Sequence, residues 1–184
     1  LQPTIIFSLI VVGVYFFNRY AECRISANNY KILKNAGGEE LGSSLLKKYY
    51  LLCLFVFPLA LIEQGVMMPP IYKEMLRLGL LLILMGHLLR YWAIFSLGTL
   101  WSMRCITLPG LCAVNAGPYR YMNNPEYISR FMDGVGISLL TGSKFTGLIY
   151  IVLSAILVRK TNTLEQRQLS ELSSGFSHLR RQTV

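Results

Sequence analysis

Residues 134–158 read GVGISLLTGSKFTGLIYIVLSAILV. As a single helix this stretch is long enough to cross the roughly 30 Å of hydrocarbon in a bilayer. Its middle, however, is Gly142-Ser143-Lys144, a turn signal that would leave a cation near the bilayer centre. Two short helices joined in a hairpin are therefore expected, with Lys144 in the turn.

Outward from that hairpin, three more apolar runs appear. Leu1 to Asn18 carries no charge and reads as the first span rather than a cleaved signal, having neither a basic start nor a small-residue cleavage site. Tyr49 to Met68 is interrupted only by Glu63 and ends at Pro69-Pro70, while Leu78 to Leu89 runs into Arg90-Tyr91-Trp92, an interfacial pattern. The fold class expected is all-α: a polytopic integral membrane protein of about five transmembrane helices closed by a C-terminal hairpin.

The basic residues sort by side under that count. One side collects Arg19, Arg24, Lys31, Lys34, Lys47, Lys48, Arg90, Arg104, Arg120, Arg130, Arg159, Lys160, Arg167, Arg180 and Arg181, and the other keeps Lys73, Arg77 and Lys144. Because cytoplasmic loops accumulate Lys and Arg, the N-terminus is expected outside, and the C-terminus and the 90–130 connection in the cytoplasm. A single last span would send five cations across.

Composition agrees with a bilayer as solvent. Of 184 residues, 53% are hydrophobic, too many for the polar coat of a soluble domain. The net charge of +9 is dispersed between apolar runs, which points to a membrane surface and away from nucleic acid. Cys23, Cys53, Cys105 and Cys112 form no CxxC pair and only two histidines exist, so no zinc site and no disulfide framework is indicated.

Between the first two spans, residues 19–36 combine good helix formers with apolar Ala21, Ile25, Ile32 and Leu33 before Gly37-Gly38; an amphipathic interfacial segment is expected. Residues 170–184, with Ser-Ser-Gly and Arg-Arg, read as a polar, loosely ordered tail. The whole chain, 1–184, reads as one domain, with N-terminal spans in 1–68 and a ligand-binding half in 71–169.

Chemistry is expected in the connection from Arg90 to Arg130. Gly117-Pro118 sets a turn, Tyr119 and Tyr121 offer flat rings, and Arg120 offers a fork for a carboxylate or phosphate. An interfacial anchor is the competing reading of the same residues. Glu22 and Arg90 are ionisable groups at the edge of apolar runs and are candidates for a shared polar cavity, against snorkelling of Arg90 to the interface. His87, one turn before Tyr91, reads as a packing residue.

The run Gly117-Pro118-Tyr119-Arg120-Tyr121-Met122-Asn123-Asn124-Pro125-Glu126-Tyr127, with Arg90 to Ile94, Leu97-Gly98 and Trp101 before it, resembles the isoprenylcysteine carboxyl methyltransferase family, whose signature runs G-P-Y-R-Y-x-R-H-P-x-Y. After the hairpin such enzymes have an Arg and paired glutamates, where this chain has Lys160 and Glu165-Gln166. Arg19, Glu22, Ser26, Asn29, Gly38 and Glu40 resemble a bacterial branch of that family. Two departures stand out: Asn123-Asn124 replaces the Arg-His pair, and Gln166 replaces the second glutamate.

The resemblance implies an integral-membrane O-methyltransferase that uses S-adenosyl-L-methionine on the carboxylate or hydroxyl of a lipophilic acceptor such as an isoprenylcysteine. It implies catalytic roles for Arg90 and Asn124, and donor contacts from Tyr119, Arg120, Tyr121, Asn124, Pro125, Tyr127, Glu165 and Gln166, with no metal. Membrane lipids and the lipophilic acceptor are the expected partners, and the oligomeric state is open. An NADPH-dependent membrane reductase and a catalytically degenerate lipid- or partner-binding homologue are the alternatives.

Overall fold

The computed structural model describes residues 3–40, 44–104, 106–108, 116–122 and 124–182, with side chains described for 5–40, 47–104, 106, 108, 116–122 and 124–163. Among the described residues five α-helices form: α1 (Pro3–Asn35), α2 (Ser44–Met67), α3 (Lys73–Leu97), α4 (Pro125–Thr141) and α5 (Lys144–Gln182). A two-residue antiparallel pairing, β1 (Glu39–Glu40) with β2 (Ile106–Thr107), aligns Glu40 with Ile106. Single 3₁₀ turns occupy Gly98–Leu100 and Gly117–Arg120.

Among the described residues, four helical segments are long and apolar enough to cross a membrane: Ile5–Asn35, Lys47–Met67, Lys73–Leu100 and Lys144–Thr163. Their outward faces carry exposed Leu, Ile, Val and Phe side chains, such as Phe17, Phe55, Leu84 and Leu148. That surface belongs in lipid. Helix α4 differs. Its 17 residues span about 26 Å, and α2, α3 and α5 cover it. Most of its length is buried, including Ser129, Arg130 and Asp133.

Glycine explains how closely α3 and α4 approach. A Cβ on Gly79 would meet the Gly136 carbonyl oxygen at 2.6 Å, and one on Gly136 would meet the Gly79 oxygen at 2.7 Å. A Cβ on Gly86 would strike Asp133 Oδ1 at 2.6 Å. Small residues at such a seam replace the hydrophobic drive that is missing between helices in lipid. Around it, Tyr15, Tyr49, Phe57, Tyr127, Ile137 and Tyr150 make an apolar core, with Tyr15 and Phe57 stacked at 3.6 Å between ring centroids.

The hairpin turn forms where expected, between Thr141 and Lys144. Gly142 takes the left-handed conformation, φ 70°, and its N–H reaches back to the Leu139 and Ser138 carbonyls, a glycine C-cap. Glu63 of α2 accepts the backbone N–H groups of Phe145 and Thr146, at 3.0 and 2.8 Å, and the Thr146 hydroxyl at 2.6 Å. The lone charge of the second apolar run thus caps the N-terminus of α5, where an anion is favoured.

Three expectations are corrected. The hairpin is not built of two short helices: α4 begins at Pro125, before Gly134, and α5 runs 39 residues. The tail expected to be loose continues α5 as far as Gln182.

The third correction concerns residues 19–36, which are not a separate interfacial helix but the continuation of α1 through Asn35. Their polar face turns inward: Arg19, Glu22, Ser26 and Asn29 are buried, whereas Tyr20, Ile25 and Ile32 are exposed. An apolar stripe faces the core only when water is outside.

Candidate functional site

A cavity of about 250 Å³ opens at the end of the bundle where α4 begins. Tyr50 of α2 and Leu97 of α3 form two sides, a strap of Trp101, Ser102, Met103, Arg104 and Ile106 forms a third, and Tyr119 with Asn124, Pro125, Glu126 and Tyr127 completes it. Its size is near the lower end of ligand sites, roughly 300–1,000 Å³. Among its described lining side chains Arg104 is the one cation and Glu126 the one anion.

Local sequence explains how α4 presents its start to the cavity. Pro125 stands in the first turn, where its fixed φ suits a helix and its missing N–H costs nothing. Asn124 precedes it in a non-helical conformation, φ −134° and ψ 73°, and its side chain does not cap α4. Instead Asn124 Nδ2 donates to Asn162 Oδ1 of α5 at 2.8 Å.

Glu126 is held from three directions. The Trp101 indole N–H donates to its Oε1. The Tyr50 hydroxyl donates to Oε2 at 3.3 Å, and Arg130, one turn further on, reaches Oε2 at 3.4 Å. The Arg130 guanidinium also lies over the Tyr50 ring, 4.4 Å from its centroid, a cation–π contact. Burial pushes the Tyr119 phenol above its ordinary pKa, and the negative charge of Glu126 adds to the shift. Tyr119 therefore remains a neutral hydroxyl at pH 7.

Deeper along α4, a buried ion cluster joins three helices. Arg90 of α3 pairs with Asp133 of α4 and lies 3.5 Å from Glu22 of α1, which pairs in turn with Arg19. Arg90, Glu22 and Asp133 are fully buried. His87 Nδ1 is 2.9 Å from the Ile83 carbonyl oxygen and 3.2 Å from Asp133 Oδ1, so that nitrogen carries the proton. The shared polar interior expected of Glu22 and Arg90 is present, and Arg90 does not snorkel.

Of the residues singled out from the sequence, Tyr119, Asn124, Pro125 and Tyr127 come together in the cavity. Arg120 and Tyr121 are exposed and do not line it, and Arg90 is committed to the ion cluster. The side chains of Glu165 and Gln166, and residue Asn123, lie outside the described residues. The sequence pattern alone assigns no role in the site to Tyr50, Arg104, Glu126, Arg130 or Asp133. Asp133 was findable, since an acid three residues after Arg130 in an apolar run is a site signal by itself.

The match to known proteins covers this part of the chain. A model of the isoprenylcysteine carboxyl methyltransferase (ICMT) family fits residues 78–171. The chain belongs to the ICMT family. That segment of the ICMT-family protein runs from α3 into α5 and holds every lining residue of the cavity except Tyr50. Over 165 residues the chain is 27% identical to the uncharacterized protein YpbQ of Bacillus subtilis (strain 168), a match covering 89% of this chain and 97% of that protein. No solved structure matches. With four helices of spanning length, this ICMT-family member is a multi-pass membrane protein of the methyltransferase-like kind.

Proposed function

We propose that this ICMT-family protein is an S-adenosylmethionine-dependent O-methyltransferase that acts on the carboxylate or hydroxyl of a lipophilic acceptor such as an isoprenylcysteine. The observation that carries the reading is the cavity inside the family segment. Its described lining combines one cation, one carboxylate and several tyrosine faces with apolar Leu97, Met103 and Ile106. Such a lining fits a donor with an amino-acid end, a sulfonium and a flat base beside an apolar acceptor.

Bound there, S-adenosylmethionine supplies an electrophilic methyl carbon. Arg104 offers a fork to a carboxylate, and the rings of Tyr119 and Tyr127 offer faces to a cation or a base. Asn124, held by Asn162, positions a polar amide where the family signature has histidine. A carboxylate acceptor is already ionised at pH 7 and needs no base, so the loss of the histidine leaves that chemistry intact. The role assigned to Arg90 becomes one of positioning, since its guanidinium is buried, pairs with Asp133 and lies 3.5 Å from Glu22. Glu165 and Gln166, further along α5, remain candidates for the donor's amino group. The cavity and the C-terminus face the cytoplasm in this reading.

A hydride-transferring reductase would need several cations for the 2′-phosphate of NADPH, and among the described lining residues there is one. The degenerate homologue draws its support from Asn124, which replaces a titratable ring and spends its amide on Asn162.

The deciding assay follows tritiated methyl from S-adenosylmethionine into total lipid extract and into prenylated cysteine analogues. Incorporation by the purified protein is the expected result. S-adenosylhomocysteine binding without incorporation would indicate the degenerate homologue, and NADPH binding alone the reductase.

A further inference from the structure

The C-terminal half of α1 lies outside the family segment, yet it reaches the strap that walls the cavity. The strap that forms one cavity wall carries little regular structure of its own: a 3₁₀ turn at its start and two residues of strand near its end. Three of its backbone groups are met by side chains of α1. Asn29 Nδ2 lies 3.1 Å from the Gly98 carbonyl oxygen and 2.8 Å from that of Trp101. Ser26 Oγ, one turn earlier, accepts the Met103 N–H at 2.9 Å. Further out, Tyr30 and Arg104 both engage Glu40, at 3.1 and 3.3 Å, and the Arg104 guanidinium lies 4.4 Å from the Tyr30 ring centroid.

Asn29 and Ser26 are buried, and no lining residue of the cavity belongs to α1. Their polar atoms therefore act on the wall and not on a ligand. The Trp101 carbonyl is tied to α1 while its indole is tied to Glu126 of α4. Trp101 is thus fixed at both ends, and the width of the cavity is set between them. A strap released from α1 would exchange these bonds for water and lose its fixed position.

We propose that Asn29, with Ser26, is a positioning residue of this site: the C-terminal half of α1 clasps the strap, sets Trp101 against Glu126, and so holds open a cavity of the right shape for its ligand. The inference rests on the preceding reading only for the identity of that ligand.

Trp92 and Trp101 are the two tryptophans of the chain, so Trp92→Phe leaves Trp101 as the sole tryptophan, excited selectively at wavelengths where tyrosine does not absorb. In that background Asn29→Leu and Ser26→Ala are compared with the parent for Trp101 emission, acrylamide quenching, helical circular dichroism and S-adenosylhomocysteine affinity. The expected result is a red shift with quenching raised severalfold, and affinity weakened about tenfold for Asn29→Leu, at unchanged helicity. If Asn29→Leu does not fold, the same shifts, smaller in size, are read from Ser26→Ala. Emission and quenching that stay at the parent values overturn the clasp, as does a moved Trp101 signal with unchanged affinity. A parent that binds no S-adenosylhomocysteine instead sinks the donor assignment, and Trp101 alone then decides the clasp.

Discussion

Asp133 and Arg90 are the residues on which the interior depends most. Taking two charges out of water is costly, and their mutual attraction compensates only while both are present. Asp133→Leu leaves Arg90 with Glu22 alone at 3.5 Å, and a loss of about 3–5 kcal/mol is expected in thermal or denaturant unfolding in detergent. Removing both charges, Arg90→Met with Asp133→Leu, should recover most of that loss, because Arg19 still pairs with Glu22. A double variant as unstable as the single one would show that the pair is not the cause. At the cavity, Asn124→Leu strands the Asn162 oxygen and removes a polar group. S-adenosylhomocysteine should bind about tenfold more weakly, while Asn124→His should be tolerated. With an amide in place of an imidazole, methyl transfer to a carboxylate should be nearly flat between about pH 6 and 8. A slope in that range would mean that another group titrates in the site.

At the scale of helices, the seam between α3 and α4 aligns Arg90 with Asp133 and aims the start of α4 at the cavity. Gly136→Val would drive new atoms into the Gly79 oxygen and the Ile83 side chain. The expected cost is about 1–3 kcal/mol, together with weaker ligand binding. Gly65→Ala, in α2 with no atom within 4 Å of the added Cβ, should be neutral or stabilise by up to about 1 kcal/mol. Equal effects from the two changes, measured by unfolding, would remove the seam from the argument. The same elements mark what could be read from the sequence. The hairpin turn was legible because its signal, Gly142-Ser143-Lys144, is local. The start of α4 was not, because counting an apolar run begins after its last charge. A helix covered by three others can carry Arg130 and Asp133 inward. The second half of α1 misled for a related reason. Amphipathic periodicity gives the faces of a helix but not which face is inside, and here the polar one is.

For the molecule as a whole, hydropathy and charge bias address different questions. Hydropathy is met by four helices of spanning length, but it does not give direction. The distribution of Lys and Arg supplies an expectation for it: with α4 and α5 acting as a hairpin, the proposed orientation has the N-terminus outside and both the strap and the C-terminus in the cytoplasm. The ends of that hairpin carry the test. Lys144 is exposed at the turn, at the far end of α4 from the cavity, so the turn and the cavity should open to opposite sides of the membrane. A single cysteine at Lys144→Cys, in a chain whose four native cysteines are replaced, should react with a membrane-impermeant maleimide added from outside. Arg104→Cys, in the cavity wall, should react only after the inner face is exposed. Because each position controls for the other, the experiment separates orientation from architecture. Both labels exchanged between sides would reverse the charge-based orientation and leave the bundle intact. Both labels on one side would mean that α4 does not carry the chain across, and the hairpin would then have to lie within one leaflet.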